Sequence, residues 1–249
     1  MPAPIVIAGA GQAGLQVAVS LRQLGFDGEI LLIGDEPGLP YQRPPLSKAY
    51  LKDGEAERLV LRNADFFGEN RIELLADSRV EAIDRQARTV TLGGGRAIGY
   101  GHLVLALGAR NRQLPLEGAA LDNVVELRTL ADAADIRDRL GPVSHAVVIG
   151  GGFIGLEFAA VASALGKQVT VLEAAPRVMS RVVSEPVSAY FADFHRASGV
   201  ALETRAMAAG LTDDGHGRVA SVRLADGRTV DCGMVLVAAG IVPNVELAA

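Results

Sequence analysis

Apolar and polar positions along the chain repeat one plan twice. A short apolar run, Pro4-Ile-Val-Ile-Ala8, is followed by Gly9-Ala-Gly-Gln-Ala-Gly14, a helical stretch from Leu15 to Leu24, and a second apolar run, Glu29-Ile-Leu-Leu-Ile33. The same order returns as His145-Ala-Val-Val-Ile149, Gly150-Gly-Gly-Phe-Ile-Gly155, a helix to Leu165, and Gln168-Val-Thr-Val-Leu172. Each copy predicts strand, glycine turn, helix, strand. Strands that are apolar without alternation are covered on both faces, so each copy predicts a parallel sheet between helical layers.

Between the copies, His102–Leu107 predicts a further strand, and the β-prone runs Val80–Ile83 and Thr89–Leu92 suit an antiparallel insertion. A helix over Leu130–Leu140 then leads to the second copy and stops at Gly141-Pro142. Ser184–Ala197 predicts another helix. Val219–Leu224 and Arg228–Asp231 flank the turn Ala225-Asp-Gly227 as a hairpin, and Met234–Ala238 is the last strand. The fold class expected is α/β, with two Rossmann-like dinucleotide-binding domains: residues 1–112, residues 113–239, and a segment 240–249 that starts a return to the first.

Composition narrows the function. A 249-residue chain that is 49% hydrophobic has ample material for two cores. The net charge of -5 disfavours a nucleic-acid binder, which needs a basic surface. Residues 1–112 carry 13 basic and 13 acidic side chains, so the excess acid lies in the remainder, and the first half is the better face for an acidic partner. One cysteine, Cys232, excludes an intrachain disulfide and a thiol pair, and fits a reducing compartment. Met1 and Pro2 run straight into the first strand without a basic, cleavable leader, so a cytoplasmic location is expected. The apolar stretch Val147–Gly166 is long enough to cross a bilayer, but three consecutive glycines and Glu157 interrupt it.

In a G-x-G-x-x-G turn the first glycine permits the bend, the second lets backbone approach a pyrophosphate, and the third lets helix pack on strand. The pyrophosphate rests on the open amides of the helix N-terminus. The triplets here are Gly9, Gly11, Gly14 and Gly150, Gly152, Gly155. One such motif alone is as compatible with an empty structural turn; two in full strand-and-helix context favour nucleotide sites. Each second strand also ends in an acid, Asp35 or Glu173, placed to accept hydrogen bonds from ribose hydroxyls. A solvated surface acid is the alternative at both positions. An acid repels a 2'-phosphate and no arginine immediately follows Glu173, so the second site should take NADH rather than NADPH.

The string Arg43-Pro-Pro-Leu-Ser-Lys48, then Ala106-Leu-Gly-Ala-Arg110, then Gly150-Gly-Gly-Phe-Ile-Gly-Leu-Glu157 resembles the FAD-dependent, NADH-specific ferredoxin reductases of bacterial oxygenase systems over essentially the whole chain. The resemblance implies a glutathione-reductase-like two-domain arrangement with FAD at the first glycine turn and NADH at the second. It implies FAD contacts at Ala13, Asp35, Arg43, Lys48, Val80 and Arg128, and adds Ile154, Arg181 and Gly240 to the cofactor-binding set. Lys48 is implied to lie beside the flavin ring, where a cation favours the reduced, anionic form. Glu157 is implied to lie near the nicotinamide and to pair with Lys48; its apolar neighbours Phe153, Ile154, Leu156 and Phe158 would make an unpaired carboxylate costly. A plain surface lysine and a polar-face helix residue are the respective alternatives. No metal site is expected. The partner implied is a [2Fe-2S] ferredoxin.

Two departures accompany the resemblance. The family's Ala-Thr-Gly turn is Ala106-Leu-Gly108 here, which removes a hydroxyl and keeps the glycine. The sequence is also expected to be C-terminally truncated, lacking a second FAD segment and the C-terminal interface domain. Two other functions stay open: an NADH oxidase or disulfide-reductase relative, which would need a reactive cysteine that the loop Tyr41–Tyr50 lacks, and a non-catalytic dinucleotide-binding fragment.

Overall fold

The computed structural model describes residues Ala3–Ala249. These cluster into two compact units, each with its own parallel sheet. One unit comprises the chain up to Gln42, Glu57–Arg110 and Pro243–Ala249; the other comprises Arg43–Ala56 and Asn111–Val242.

In the first unit the strands run in the order Ile72–Leu75, Ile30–Ile33, Ile5–Ala8, His102–Leu105, all parallel. Every residue of Ile5–Ala8 and Ile30–Ile33 is buried, as an unalternating apolar run requires. Ile5, Ile7, Ile30 and Leu32 face Leu15 and Ala18 of the helix Gln12–Gln23, together with Phe67. Val6, Ala8, Leu31 and Ile33 face the other way, onto Val80, Val90 and Leu92. Those three belong to the antiparallel insertion of Val80–Asp84, Thr89–Leu92 and Ala97–Gly99. The first helix begins three residues earlier than its apolar spacing predicts, because Gly11 in extended conformation serves as the N-cap. A short helix, Ala64–Glu69, capped by the Asn63 side chain, carries Phe67 into the core.

Arg22 closes the end of the first helix. Its guanidinium donates to four backbone carbonyls: Asn70 at 2.7 Å, Phe26 at 2.6 Å, Gly28 at 2.8 Å and Arg71 at 2.6 Å. Burial, and secondarily the neighbouring Arg71, hold its pKa below the usual arginine value. Removing the side chain strips donors from all four carbonyls at once. Arg22→Ala is expected to lose about 2–4 kcal/mol in urea unfolding, and Arg22→Lys to recover little, since an ammonium cannot span the fork.

The second unit repeats the topology with a fifth strand. The order is Ala201–Thr204, Gln168–Glu173, His145–Ile149, Met234–Val237, Val124–Val125, again all parallel. The helix Phe153–Ala164 buries Gly155, Leu156, Phe158, Ala159 and Ala162. On the opposite face Val147, Ile149, Val235 and Val237 meet Leu211, Val222 and Leu224. These last come from an antiparallel sheet of Ala208–Asp213, Val219–Leu224 and Thr229–Asp231. The hairpin over Gly227 stands as its turn residues predict, with Gly227 at φ +89°. Its partner Ala208–Asp213 has no signal in the sequence: Ala-Ala-Gly-Leu-Thr-Asp has neither alternation nor a continuous apolar run.

The helix Leu130–Leu140 starts on a capping box in which Thr129 and Asp132 exchange side-chain-to-backbone bonds. Residues 43–56 supply a 3₁₀ turn, Pro44–Ser47, and a short helix, Ala49–Asp53, ended by Gly54 at φ +74°. The turn packs on the helices Leu130–Leu140 and Phe153–Ala164. Among the described residues no helix is long and apolar enough to cross a membrane.

The helix Glu185–Ala197 buries His195, 5% exposed, with its Nδ1 lacking a hydrogen-bond partner among the described residues. Burial pushes this imidazole below its ordinary 6.5, so the folded chain prefers it neutral while the unfolded chain takes a proton as pH falls through that value. The unfolded state then binds more protons, and stability drops with falling pH. Between pH 7.5 and about pH 5, His195→Leu is expected to lose less melting temperature than the unchanged chain.

Candidate dinucleotide-binding sites

Each unit carries a glycine elbow between a strand of its parallel sheet and the helix that follows, Ile5–Ala8 into Gln12–Gln23 and His145–Ile149 into Phe153–Ala164, built from equivalent contacts. Gly9 has φ +111° and Gly150 φ +112°, conformations that L side chains rarely adopt. A Cβ on Gly9 would lie 2.1 Å from the carbonyl oxygen of Ala106, and one on Gly150 2.4 Å from that of Ala238. Both carbonyls sit just past the strand that flanks the first strand, so the glycine lets two chain segments meet. The third glycines are as constrained: a Cβ on Gly14 would stand 1.9 Å from Gly9 O, and one on Gly155 2.1 Å from Gly150 O.

The middle glycines differ. Among the described residues nothing lies within 4 Å of a Cβ built on Gly11 or on Gly152. Neither helix that follows has a side-chain cap, so its first amides are left open at the positive end of the dipole. A small-residue gap facing uncapped amides is the space a pyrophosphate needs, and the packing at hand does not otherwise require glycine there. The residues present therefore fit a dinucleotide in both units. Ala13 is exposed in the first turn of its helix, and Ile154 is half-buried in the first turn of the other.

The strand-end acids sit in different surroundings. Glu173 is tied to backbone through both oxygens: Oε2 accepts from Gly151 N at 2.7 Å and Oε1 from Ala175 N at 2.7 Å. It thereby fixes the glycine turn, and each oxygen keeps a lone pair for a hydroxyl. Asp35 is exposed and lines a cavity of about 400 Å³ together with Gly9, Val80, Arg79 and Arg110. That volume is of the size small-molecule sites have. The sequence assigns no binding role to Arg79 or Arg110. Arg79 lies in no motif and Arg110 closes the string Ala106–Arg110, and only the fold brings both into the wall that holds Asp35.

In the second unit, Lys48 Nζ lies 2.8 Å from Glu157 Oε2 and donates to Pro44 O at 2.9 Å. The buried Ser47 hydroxyl donates to the same Glu157 oxygen at 2.5 Å. Serine in a proline-rich turn carries no sequence signal of such a role, and its position before Lys48 was the one available hint. Of the apolar neighbours expected to bury Glu157, Leu156 and Phe158 are buried, whereas Phe153 is 53% exposed. Phe153 is the first residue of its helix and lies off the core face.

Arg43 donates to Arg128 O at 2.8 Å, and Arg128 N donates to Asp132. Arg181 is exposed in the loop after Glu173, which Arg177 braces through Val183 O at 2.9 Å and Ser180 O at 2.8 Å. Gly240, exposed at φ +102°, accepts from Arg112 N. Cys232 is buried, and burial with Asp231 nearby pushes its thiol up to about 12, so it holds no thiolate at neutral pH. Among the described residues no cluster of three or more metal-ligating side chains occurs.

The chain belongs to the pyridine nucleotide-disulphide oxidoreductase family, whose model matches residues 3–249. It is 49% identical to rhodocoxin reductase of Rhodococcus erythropolis over 248 residues, covering 98% of this chain and 57% of that protein. The crystal structure of a ferredoxin reductase from Rhodopseudomonas palustris superposes with a TM-score of 0.96 at 51% identity, over 98% of this chain and 60% of that one. The reductase in a covalent putidaredoxin reductase–putidaredoxin complex gives 0.94 at 42% identity, over 99% and 60%. The expected resemblance to ferredoxin reductases and the α/β fold with parallel sheets are borne out. The chain spans about three fifths of the length of these relatives.

Proposed function

We propose that this chain is the dinucleotide-binding part of an NADH-dependent ferredoxin reductase, holding FAD at the first elbow and NADH at the second. The pair of elbows, each with two sterically required glycines and one that faces open space, is the observation that carries the reading. Bound flavin would supply the exchange between a two-electron donor and one-electron acceptors. The chain's own residues bind and orient. Gly11 and Gly152 admit the pyrophosphates, and the open amides after them neutralise part of their charge. Asp35 and Glu173 accept from the ribose hydroxyls, and the fixed charge of Glu173 works against a 2'-phosphate.

Arg43, Val80, Arg128, Arg181, Gly240, Ala13 and Ile154 complete the nucleotide-binding set on the strength of the resemblance. Lys48 supplies a cation with one N–H beyond those given to Pro44 and Glu157, and Glu157 holds that cation in place. The functional division proposed is an FAD domain over 1–112, an NADH domain over 113–239 and a return segment over 240–249, with residues 43–56 and Arg128 contributing FAD contacts from the second compact unit.

The electron acceptor proposed is a [2Fe-2S] ferredoxin of an oxygenase system, as the putidaredoxin bound in one structural neighbour suggests. The neutral charge of residues 1–112 leaves an acidic protein free to approach. A cytoplasmic setting suits a chain with one buried thiol. A thiol-based mechanism is disfavoured because Cys232 is held protonated. Anaerobic mixing of the FAD-loaded chain with NADH and a [2Fe-2S] ferredoxin tests the proposal. The flavin colour should bleach with NADH faster than with NADPH, and the ferredoxin should then be reduced; equal rates for the two nucleotides, or no bleaching, would count against it.

A further inference from the structure

Ser47 sits in the turn Pro44–Ser47 with 4% of its surface exposed. Its hydroxyl is 2.5 Å from Glu157 Oε2, against 3.5 Å from the Pro44 carbonyl, so the carboxylate is its partner. Lys48 Nζ reaches the same oxygen at 2.8 Å. Two donors of opposite character thus converge on one oxygen. Serine is short, buried and carried on a proline-stiffened turn, whereas the lysine side chain is long and 49% exposed.

We propose that Ser47 is a positioning residue: its hydroxyl keeps the Glu157 carboxylate in place so that Lys48 can turn to a bound nucleotide without stranding it. A carboxylate that is three-quarters buried and has lost every donor is strongly disfavoured, so a lysine that was its sole partner would be held back from any other task. With Ser47 present, the carboxylate retains one charge-assisted hydrogen bond when Lys48 moves. The functional consequence rests on the reading proposed above; the geometry of the three side chains does not.

The test has one arm without flavin and one with it. In urea unfolding of the flavin-free 249-residue chain, Ser47→Ala and Lys48→Ala should each lower the folding constant by less than about fivefold, because the other donor remains. The double variant should lower it by about thirtyfold or more, exceeding the product of the singles. In a Glu157→Ala background that excess should vanish. In the FAD-loaded chain, Ser47→Ala should slow flavin reduction at saturating NADH by about tenfold. Single losses that multiply to give the double, or an excess that survives without Glu157, overturn the inference. Failure of NADH to reduce the flavin in the unchanged chain would sink the functional reading alone, since the unfolding cycle does not depend on it.

Discussion

Gly155→Ala and Gly14→Ala should each cost about 3 kcal/mol or more of folding stability, whereas alanine at Gly152 or Gly11 should cost under about 1 kcal/mol. The difference follows from what the added methyl meets. At Gly155 it would lie 2.1 Å from Gly150 O, and at Gly14 1.9 Å from Gly9 O. Both obstacles are backbone carbonyls of the same elbow, and Gly150 N and Gly9 N are themselves hydrogen-bonded to the neighbouring strand, at Leu172 O and Ile33 O. Relief would require moving the helix off the sheet, away from Leu156 or Leu15, which are buried there. At Gly152 and Gly11 the methyl enters open space. Urea unfolding with an unchanged slope separates the two classes; four equally stable variants would show that the elbows are softer than their geometry implies.

Lys48→Ala should slow reduction of bound flavin by NADH about a hundredfold while FAD stays bound. The lysine gives two N–H groups to Pro44 O and Glu157 Oε2, which leaves a third for a ligand. A cation kept at the site by a carboxylate and a carbonyl, and freed for a bound nucleotide while Ser47 still partners Glu157, acts on the reacting complex, so its removal should be felt in the rate at saturating NADH more than in nucleotide affinity. Loss confined to the KM for NADH, with an unaltered limiting rate, would make Lys48 a binding residue only.

The sequence made the sheet and elbow plan legible because the signals there are redundant. His145–Ile149, Thr89–Leu92, Leu130–Leu140 and Val219–Leu224 lie where the apolar spacing puts them, each bounded by a turn or cap with its own chemistry. Legibility fails where an element is defined by its neighbours. Ala208–Asp213 is a strand because Val219–Leu224 pairs with it, and Ala49–Asp53 is a helix because Gly54 ends it and the helix Leu130–Leu140 supports it.

The site shows the same division. Glycine triplets and strand-end acids can be read from spacing, since their chemistry is local. The grip of Glu173 on Gly151 N, the meeting of Ser47 with Glu157 across 110 positions, and the placing of Arg79 and Arg110 in a cavity wall with Asp35 depend on the fold.

Each elbow is proposed to hold one dinucleotide. Calorimetric titration of the chain with FAD and NADH, repeated with Gly11→Val and Gly152→Val, addresses it directly. The expected result is one FAD and one NADH per chain, with Gly11→Val abolishing the first and Gly152→Val the second while both variants remain folded. Binding of either nucleotide that ignores both substitutions, or a folded chain that binds neither, would contradict it.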